Sequence, residues 1–195
     1  SLGIILYMRI DQIMIKEMIG EYSLGIYSVS VRYIEIFHFI PKILMISLLP
    51  ILLTSRKYIF ELQKLNSFIT KISIALILLL IFTSDIIITL IFSDIYDESI
   101  LLTKILSLTL IFVFLGVVNE HWYILNNLQK YYAINVFTGA IINILLNYFF
   151  ILKFGVIGAS YATIITYFYI IFIFEYFNKK KKFLLKIKIK SITQI

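Results

Sequence analysis

The sequence contains no cysteine, and only two prolines and two histidines occur among its 195 residues. The absence of cysteine excludes a disulfide framework, a zinc knuckle and a thiol nucleophile. The histidines, His38 and His121, lie far apart in sequence and within apolar stretches, so a histidine-rich metal site is not expected. Neither a metal ion nor a cofactor is predicted for this chain.

Charged residues are also scarce. They make up 15% of the chain against 61% hydrophobic residues, and the mean hydropathy is +0.98, whereas soluble domains carry about 25% charged and about 45–50% apolar residues. The run 72–92 contains one formal charge, Asp85. At about 1.5 Å per residue, a helix of that length covers the hydrocarbon core of a bilayer. The composition therefore predicts an all-α integral membrane protein.

Apolar runs separated by turn and charge signals predict a bundle of about six transmembrane helices. The predicted spans are 1–17, 24–53, 68–92, 100–126, 131–153 and 156–177. They form a transmembrane bundle over residues 1–177, followed by a basic tail over 178–195. Because the chain opens inside an apolar segment, we expect the first helix to be truncated and the chain to be a fragment of a longer protein.

Cations lie mainly on one side of the predicted bundle. They are Arg56, Lys57, Lys64 and Lys71 after the second span, Lys130 after the fourth, and Lys179 to Lys182, Lys186, Lys188 and Lys190 in the tail. The 93–99 loop on the other side is acidic. The positive-inside rule therefore predicts a cytoplasmic C-terminus. We expect the tail to contact the lipid bilayer, not nucleic acid, and its 183–195 stretch to form an interfacial helix or strand.

Polar residues interrupt the second span at helical spacing. The stripe comprises Ser28, Arg32, Glu35 and Lys42, with Phe39 on the same line and His38 beside it. Charges within hydrocarbon cost several kcal/mol, so those that persist usually face a cavity or a partner. We expect this stripe to face inward, towards water, partner charges or substrate. Pro41 and Pro50 in the same span can each bend the helix.

The first span adds Arg9 and Asp11. Residues two apart on a helix point in different directions, so one of them could face a neighbour such as Glu35 or Arg32. Three interpretations stay open: a buried ion-pair network that fixes helix packing, a solvated cavity for an anionic ligand, and snorkelling to the headgroup level.

Later spans carry small and amide residues on one face. Gly139, Asn143 and Asn147 are spaced by four residues, and Gly158 follows a predicted turn at 153–155. Such faces are typical of close helix packing with cross-helix hydrogen bonds. We therefore assign Asn143, Asn147 and Gly158 to helix packing.

Three ordered segments resemble the C-terminal half of polysaccharide exporters of the multidrug/oligosaccharidyl-lipid/polysaccharide superfamily. They are RIDQIMI, KEMIGEYSLGIYSVSVRYIEIFHFIPKILMISLLPIL and INILLNYFFILKFGVIGASYATIITY. Together they cover 70 of the 195 residues, at 9–52 and 142–167. More narrowly, the chain resembles Wzx-type O-antigen and capsule repeat-unit flippases.

The resemblance implies one lobe of a two-lobed, twelve-helix transporter in the bacterial inner membrane, serving polysaccharide biosynthesis. Its partners would be undecaprenyl-pyrophosphate-linked oligosaccharide, moved by alternating access, and the missing N-terminal lobe. Arg9, Arg32 and Lys42 would meet the pyrophosphate or line the cavity, since a guanidinium offers paired donors to phosphate oxygens. Asp11 and Glu35 would couple transport to an ion or hold the arginines.

Other functions stay open. A cation-coupled multidrug exporter and a lipid II flippase belong to the same superfamily, although exporters of cations favour acidic and aromatic cavities. A non-transport scaffold would need its charges only for pairing. An enzyme is disfavoured, because polymerases and acyltransferases commonly use a sizeable external loop and the external loops here are very short.

Overall fold

A computed structural model describes residues 9–92, 94–177 and 182–193, and these residues form helices joined by short turns, with no strand among them. The α-helices are α1 (Ile10–Ile19), α2 (Glu21–Glu35), α3 (Phe39–Thr54), α4 (Tyr58–Phe92), α5 (Glu98–Ser107), α6 (Thr109–Leu125), α7 (Gln129–Phe168), α8 (Phe174–Tyr176) and α9 (Lys182–Thr193). Short 3-10 helices cover Ile36–His38 and Asp94–Tyr96, and a π-helix covers Tyr169–Ile173. The predicted all-α class is confirmed for the described residues.

Four helical stretches are long and apolar enough to cross a membrane. They are Glu21–Thr54, Tyr58–Phe92, Glu98–Leu125 and Gln129–Tyr176. Their outer surfaces are covered by large apolar side chains such as Phe82 and Leu90, which are 75% and 79% exposed. An apolar surface of this kind is stable against lipid and unfavourable in water. The chain therefore has the architecture expected of a multi-pass membrane protein.

The stretch formed by α5 and α6 lies at the centre of the bundle. Half of its most apolar window is buried within the protein, against 17% to 22% for the other three stretches. Helices α2, α4 and α7 all pack against it. Its side chains Leu106, Leu110 and Phe114 form part of the apolar core.

Helix α7 reverses direction at Gly155, where φ is 61° and ψ is −141°. This backbone conformation lies in the region that glycine adopts at little cost. The two arms then run side by side, since Asn135 donates a hydrogen bond to the carbonyl of Ile170 and Asn143 donates one to Thr166. The break predicted at residues 153–155 is thus confirmed.

The second predicted span bends between α2 and α3. Pro41 lacks the N–H that would bond to the carbonyl of Phe37, and its ring would clash with that carbonyl in a regular helix. The chain meets this constraint with the 3-10 turn Ile36–His38. A 3-10 helix turns about 120° per residue instead of about 100°, so three residues rotate the following helix by about 60°. The face of α3 is therefore offset from that of α2.

The C-terminal residues 182–193 form helix α9, which packs against α4 and α8. The helical alternative for the 183–195 stretch is thus the one observed. Lys188, counted among the tail cations, is 1% exposed and belongs to the packed interior. Residues 1–8 of the predicted first span, and Lys179 to Lys181 of the basic tail, lie outside the described residues.

Candidate functional site

A polar cavity of about 100 Å³ lies between α1, α2, α6 and the two arms of α7. Its polar lining consists of Asp11, Tyr27, Glu35, His38, Thr109, Asn143, Thr163, Thr166 and Tyr167. One water requires about 10–15 Å³ on this measure, so the cavity accommodates a small cluster of waters or a hydrated ion. It is too small for an oligosaccharide.

The carboxylate of Asp11 is held between α1 and α2. The hydroxyl of Tyr27 donates a hydrogen bond of 2.6 Å to its Oδ2 atom, and the backbone N–H of Gln12 donates one of 2.8 Å to Oδ1. The same tyrosine oxygen lies 3.4 Å from the Thr163 hydroxyl on α7. Tyr27 is fully buried, so this link fixes three helices around one acidic group.

Arg9 and Glu35 form an ion pair at the edge of the cavity. The guanidinium Nη2 lies 3.0 Å from the carboxylate Oε2, and the side chains are 39% and 29% exposed. Of the two neighbours considered from the sequence, Glu35 and not Arg32 faces Arg9. Both side chains keep part of their surface accessible, so the pair is not sealed inside the protein.

Arg32 and Lys42 do not line this cavity, and both are exposed, as is Phe39. Within the described residues the stripe therefore does not line a single cavity, and it stays a prediction that Arg32 and Lys42 face water, partner charges or substrate. Lys42 lies about one helical turn beyond His38, the last residue of this segment that lines the cavity. Arg32 precedes Glu35 by three residues and lies at the flank of the cavity-facing side of α2.

His38 lines the cavity, as a neighbour of the predicted stripe could do. Its Nε2 atom is buried and has no hydrogen-bond partner among the described residues. Buried polar atoms in proteins are nearly always paired with protein groups or ordered water. The unpaired Nε2 atom of His38 therefore indicates that the cavity holds water or a small polar ligand.

The glycine and amide face of α7 lies in the contact between its two arms. Gly139, Asn143 and Asn147 are buried there, and Asn147 donates hydrogen bonds to the carbonyl and side-chain oxygens of Asn143. Gly158 is buried against the backbone of Phe150. Asn143 also lines the cavity, so one residue serves packing and site alike.

A second polar cluster lies where α9 meets the bundle. Lys188 donates a hydrogen bond of 3.0 Å to the carbonyl of Ile171, and its Nζ lies 2.7 Å from the Glu175 carboxylate. Asn119 on α6 donates a bond of 3.0 Å to that carboxylate. Burial lowers the pKa of Lys188 below its ordinary value, while the adjacent Glu175 acts in the opposite direction.

Two charges that the sequence interpretation left without a role are also paired. Asp85, the one charge in the run 72–92, accepts hydrogen bonds of 2.9 and 2.8 Å from Lys104 on α5. An isolated acidic residue in an apolar run could have predicted this pairing, since charged residues in membrane spans usually have a partner. The same reasoning applies to Glu175 near the end of the last predicted span.

In the part of the chain that the structure describes, no group of three or more histidine, aspartate or glutamate side chains could hold a metal ion. No protein family model, curated protein sequence or solved structure matches the chain.

Proposed function

We propose that this chain forms one lobe of a bacterial inner-membrane flippase that moves undecaprenyl-pyrophosphate-linked oligosaccharide repeat units by alternating access. The observation that carries the proposal is the partly exposed Arg9–Glu35 pair at the edge of a polar cavity. Ionised groups at such positions mark substrate or ion pathways in membrane proteins. The resemblance of the sequence to Wzx-type flippases supplies the substrate class.

The proposal includes six spans and a cytoplasmic C-terminus. The reversal at Gly155 supports two spans from α7 and the segment that follows it, and α1 with the residues before it would supply the first. The exposed cations Arg56 and Lys57 precede α4, at the side that the positive-inside rule assigns to the cytoplasm.

The substrate path in this proposal lies outside the small cavity, on the surface that faces a second lobe. A cavity of about 100 Å³ excludes a sugar repeat unit. Arg32 and Lys42 are exposed, and Arg9 keeps part of its surface accessible, so these cations are available to an anion outside the lobe. Paired N–H donors make Arg32 the best candidate for the pyrophosphate.

The cavity itself suits ion coupling. It holds two acidic groups, Asp11 and Glu35, each tied to a partner on another segment, and it is large enough for a hydrated cation or a short water chain. In this proposal Asp11 and Glu35 bind the coupling ion. Movement of Tyr27 or Arg9 would then transmit ion binding to the helix arrangement.

The experiment uses the full-length protein in proteoliposomes with a fluorescent polyprenyl-pyrophosphate-linked sugar, whose transfer is measured by quenching from outside. Arg32→Ala should reduce transfer by about tenfold or more, since the loss of one strong phosphate contact exceeds about 1.4 kcal/mol. Arg56→Ala removes an exposed arginine from a loop that does not line the cavity and serves as the matched control. Equal transfer by both variants would remove Arg32 from the substrate path.

A cation-coupled multidrug exporter is the second candidate. It is favoured by the lining of the cavity, where Asp11 and Glu35 lie beside the aromatic Tyr27 and Tyr167. Transport of a cationic dye in the same proteoliposomes, with no transfer of the polyprenyl substrate, would select this function. Transfer of lipid II alone would select a lipid II flippase, and no transport of any of these substrates would favour a scaffold.

A further inference from the structure

An apolar groove runs along the surface where α9 packs against the end of the last helical stretch. It is a shallow groove, largely open on its outer side, with a volume of about 600 Å³. The walls are entirely aliphatic and aromatic. They are formed by Phe168, Phe172, Ile173, Tyr176 and Phe177 on one side, and by Leu185, Ile189 and Ile192 of α9 on the other.

Helix α9 has three faces: one buried against the bundle, one lining the groove and one carrying exposed lysines. Leu184, Ile187, Lys188 and Ser191 are buried against the bundle. Since each residue of an α-helix is rotated by about 100° from the one before it, the groove-lining face lies about 100° around α9 from the buried face. Lys186 and Lys190 are exposed and lie next to the groove-lining face on its other side. The groove is thus open along an edge that carries cations.

The buried cluster of Lys188, Glu175 and Asn119 fixes the position of α9. Its two charged side chains are nearly inaccessible, with exposures of 1% for Lys188 and 0% for Glu175. A paired buried charge tolerates little displacement, because separation would leave both groups desolvated. Helix α9 is therefore held at one place, and it leaves the groove open beside it.

We propose that this groove binds the acyl chains of an anionic phospholipid, with the phosphate held by Lys186 and Lys190. The apolar walls match hydrocarbon chains, and the adjacent cations match the headgroup charge. A zwitterionic lipid would fill the groove without the electrostatic gain. The inference is independent of the transported substrate, since it concerns a surface that the polar cavity does not reach.

The test measures tryptophan fluorescence, and the single tryptophan of the chain, Trp122, is first replaced. In a Trp122→Phe background, Phe177→Trp places a fluorophore in the groove wall, and Phe82→Trp places one on α4. The two phenylalanines are similarly exposed, at 78% and 75%. Quenching of each is measured with brominated phosphatidylglycerol or phosphatidylcholine, diluted into unlabelled phosphatidylcholine.

We expect phosphatidylglycerol to quench the position 177 fluorophore at a lower mole fraction than phosphatidylcholine does. Each lysine near an anionic surface favours binding by about fivefold, so the preference should reach about 25-fold. The fluorophore at position 82 should be quenched equally by both lipids. Lys186→Gln with Lys190→Gln should remove the preference, whereas the matched pair Lys71→Gln with Lys130→Gln, exposed lysines outside the groove, should keep it.

Equal quenching of the position 177 fluorophore by both lipids would show ordinary annular lipid and overturn the proposal. Absence of quenching would show that protein fills the groove, and would overturn it as well. A preference that survives the loss of Lys186 and Lys190 would disprove their assigned role. Mass spectrometry of lipids bound to the unaltered protein gives a second readout, in which enrichment of phosphatidylglycerol over the surrounding mixture is expected.

Discussion

The guanidinium of Arg9 donates a hydrogen bond of 3.0 Å to the carboxylate of Glu35, a residue 26 positions further along the chain. The bond joins the start of α1 to the end of α2, just before the 3-10 turn that leads into α3. Partly exposed ion pairs contribute little to stability. Its position at the edge of the polar cavity therefore favours a role in the site over a role in holding the fold.

The first prediction concerns this pair. Arg9→Glu should reduce transport by about tenfold or more, because it places two carboxylates together where one ion pair stood. The exchange of both residues, Arg9→Glu with Glu35→Arg, should restore a large part of the activity if pairing is what matters. Initial rates in proteoliposomes measure both effects. Lys16→Glu, at an exposed pair with Glu21, is the matched control and should leave the rate unchanged.

The activity of the exchanged variant also distinguishes ion pairing from a direct contact with the substrate. If the exchanged variant folds normally but stays inactive, Arg9 is required as a cation at its own place, as a direct contact with pyrophosphate would demand. Normal transport by Arg9→Glu alone would contradict any role of the pair in function.

The sequence predicted the helical class, the membrane environment and the turn at Gly155 because each depends on local pattern. Hydrophobic run length determines the first two, and a glycine next to Lys153 and Phe154 marks the third. The orientation of Lys42 could not be predicted in this way. The spacing from Ser28 to Lys42 predicts one common line only in a regular helix, and the 3-10 turn before Pro41 interrupts that regularity.

Pairing between distant segments was predicted least well. Glu175 and Lys188 lie 13 residues apart, and their partner Asn119 lies 56 residues before Glu175. Positive-inside reasoning assigned Lys188 to the tail charge, because the rule counts cations without regard to tertiary burial. The sequence predicted only an interfacial helix or strand for the 183–195 stretch, and not that a lysine within it would be buried.

The second prediction concerns close packing in the α7 hairpin. A Cβ atom at Gly158 would overlap the backbone carbonyl of Phe150, which has no freedom to move aside. Gly158→Ala should therefore destabilise the protein by about 1–3 kcal/mol or more. The measurement is the midpoint of thermal unfolding in detergent, followed by size-exclusion chromatography.

Gly116→Ala is the matched control for that variant. Its Cβ would meet only the Cδ1 atom of Ile171 at 3.5 Å, an ordinary van der Waals distance. Alanine is also the better helix former by about 1 kcal/mol. The unfolding midpoint should stay the same or rise, and equal destabilisation by the two variants would contradict the packing described at Gly158.

The third prediction concerns the buried pair of Glu175 and Lys188. Lys188→Met should lower the free energy of unfolding by about 3–5 kcal/mol, because the carboxylate would remain buried with its cation removed. Lys188→Met with Glu175→Leu should cost much less than the sum of the single changes, since both charges are gone. Thermal unfolding of the four proteins completes the cycle. Additive losses would mean that the two charges do not interact.

The fourth prediction concerns topology and uses the absence of native cysteine, which leaves any introduced thiol as the only one in the chain. Ser55→Cys, in the turn before α4, should react with an impermeant maleimide only after cells are permeabilised, because Arg56 and Lys57 beside it favour the cytoplasm. Ile95→Cys should react in intact cells, since that residue is exposed in the acidic turn at the opposite end of α4. Labelling of position 55 in intact cells would reverse the orientation, and with it the assignment of α9 to the cytoplasmic face. The phospholipid groove would then border the outer leaflet, while its geometry and its test would stay as they are.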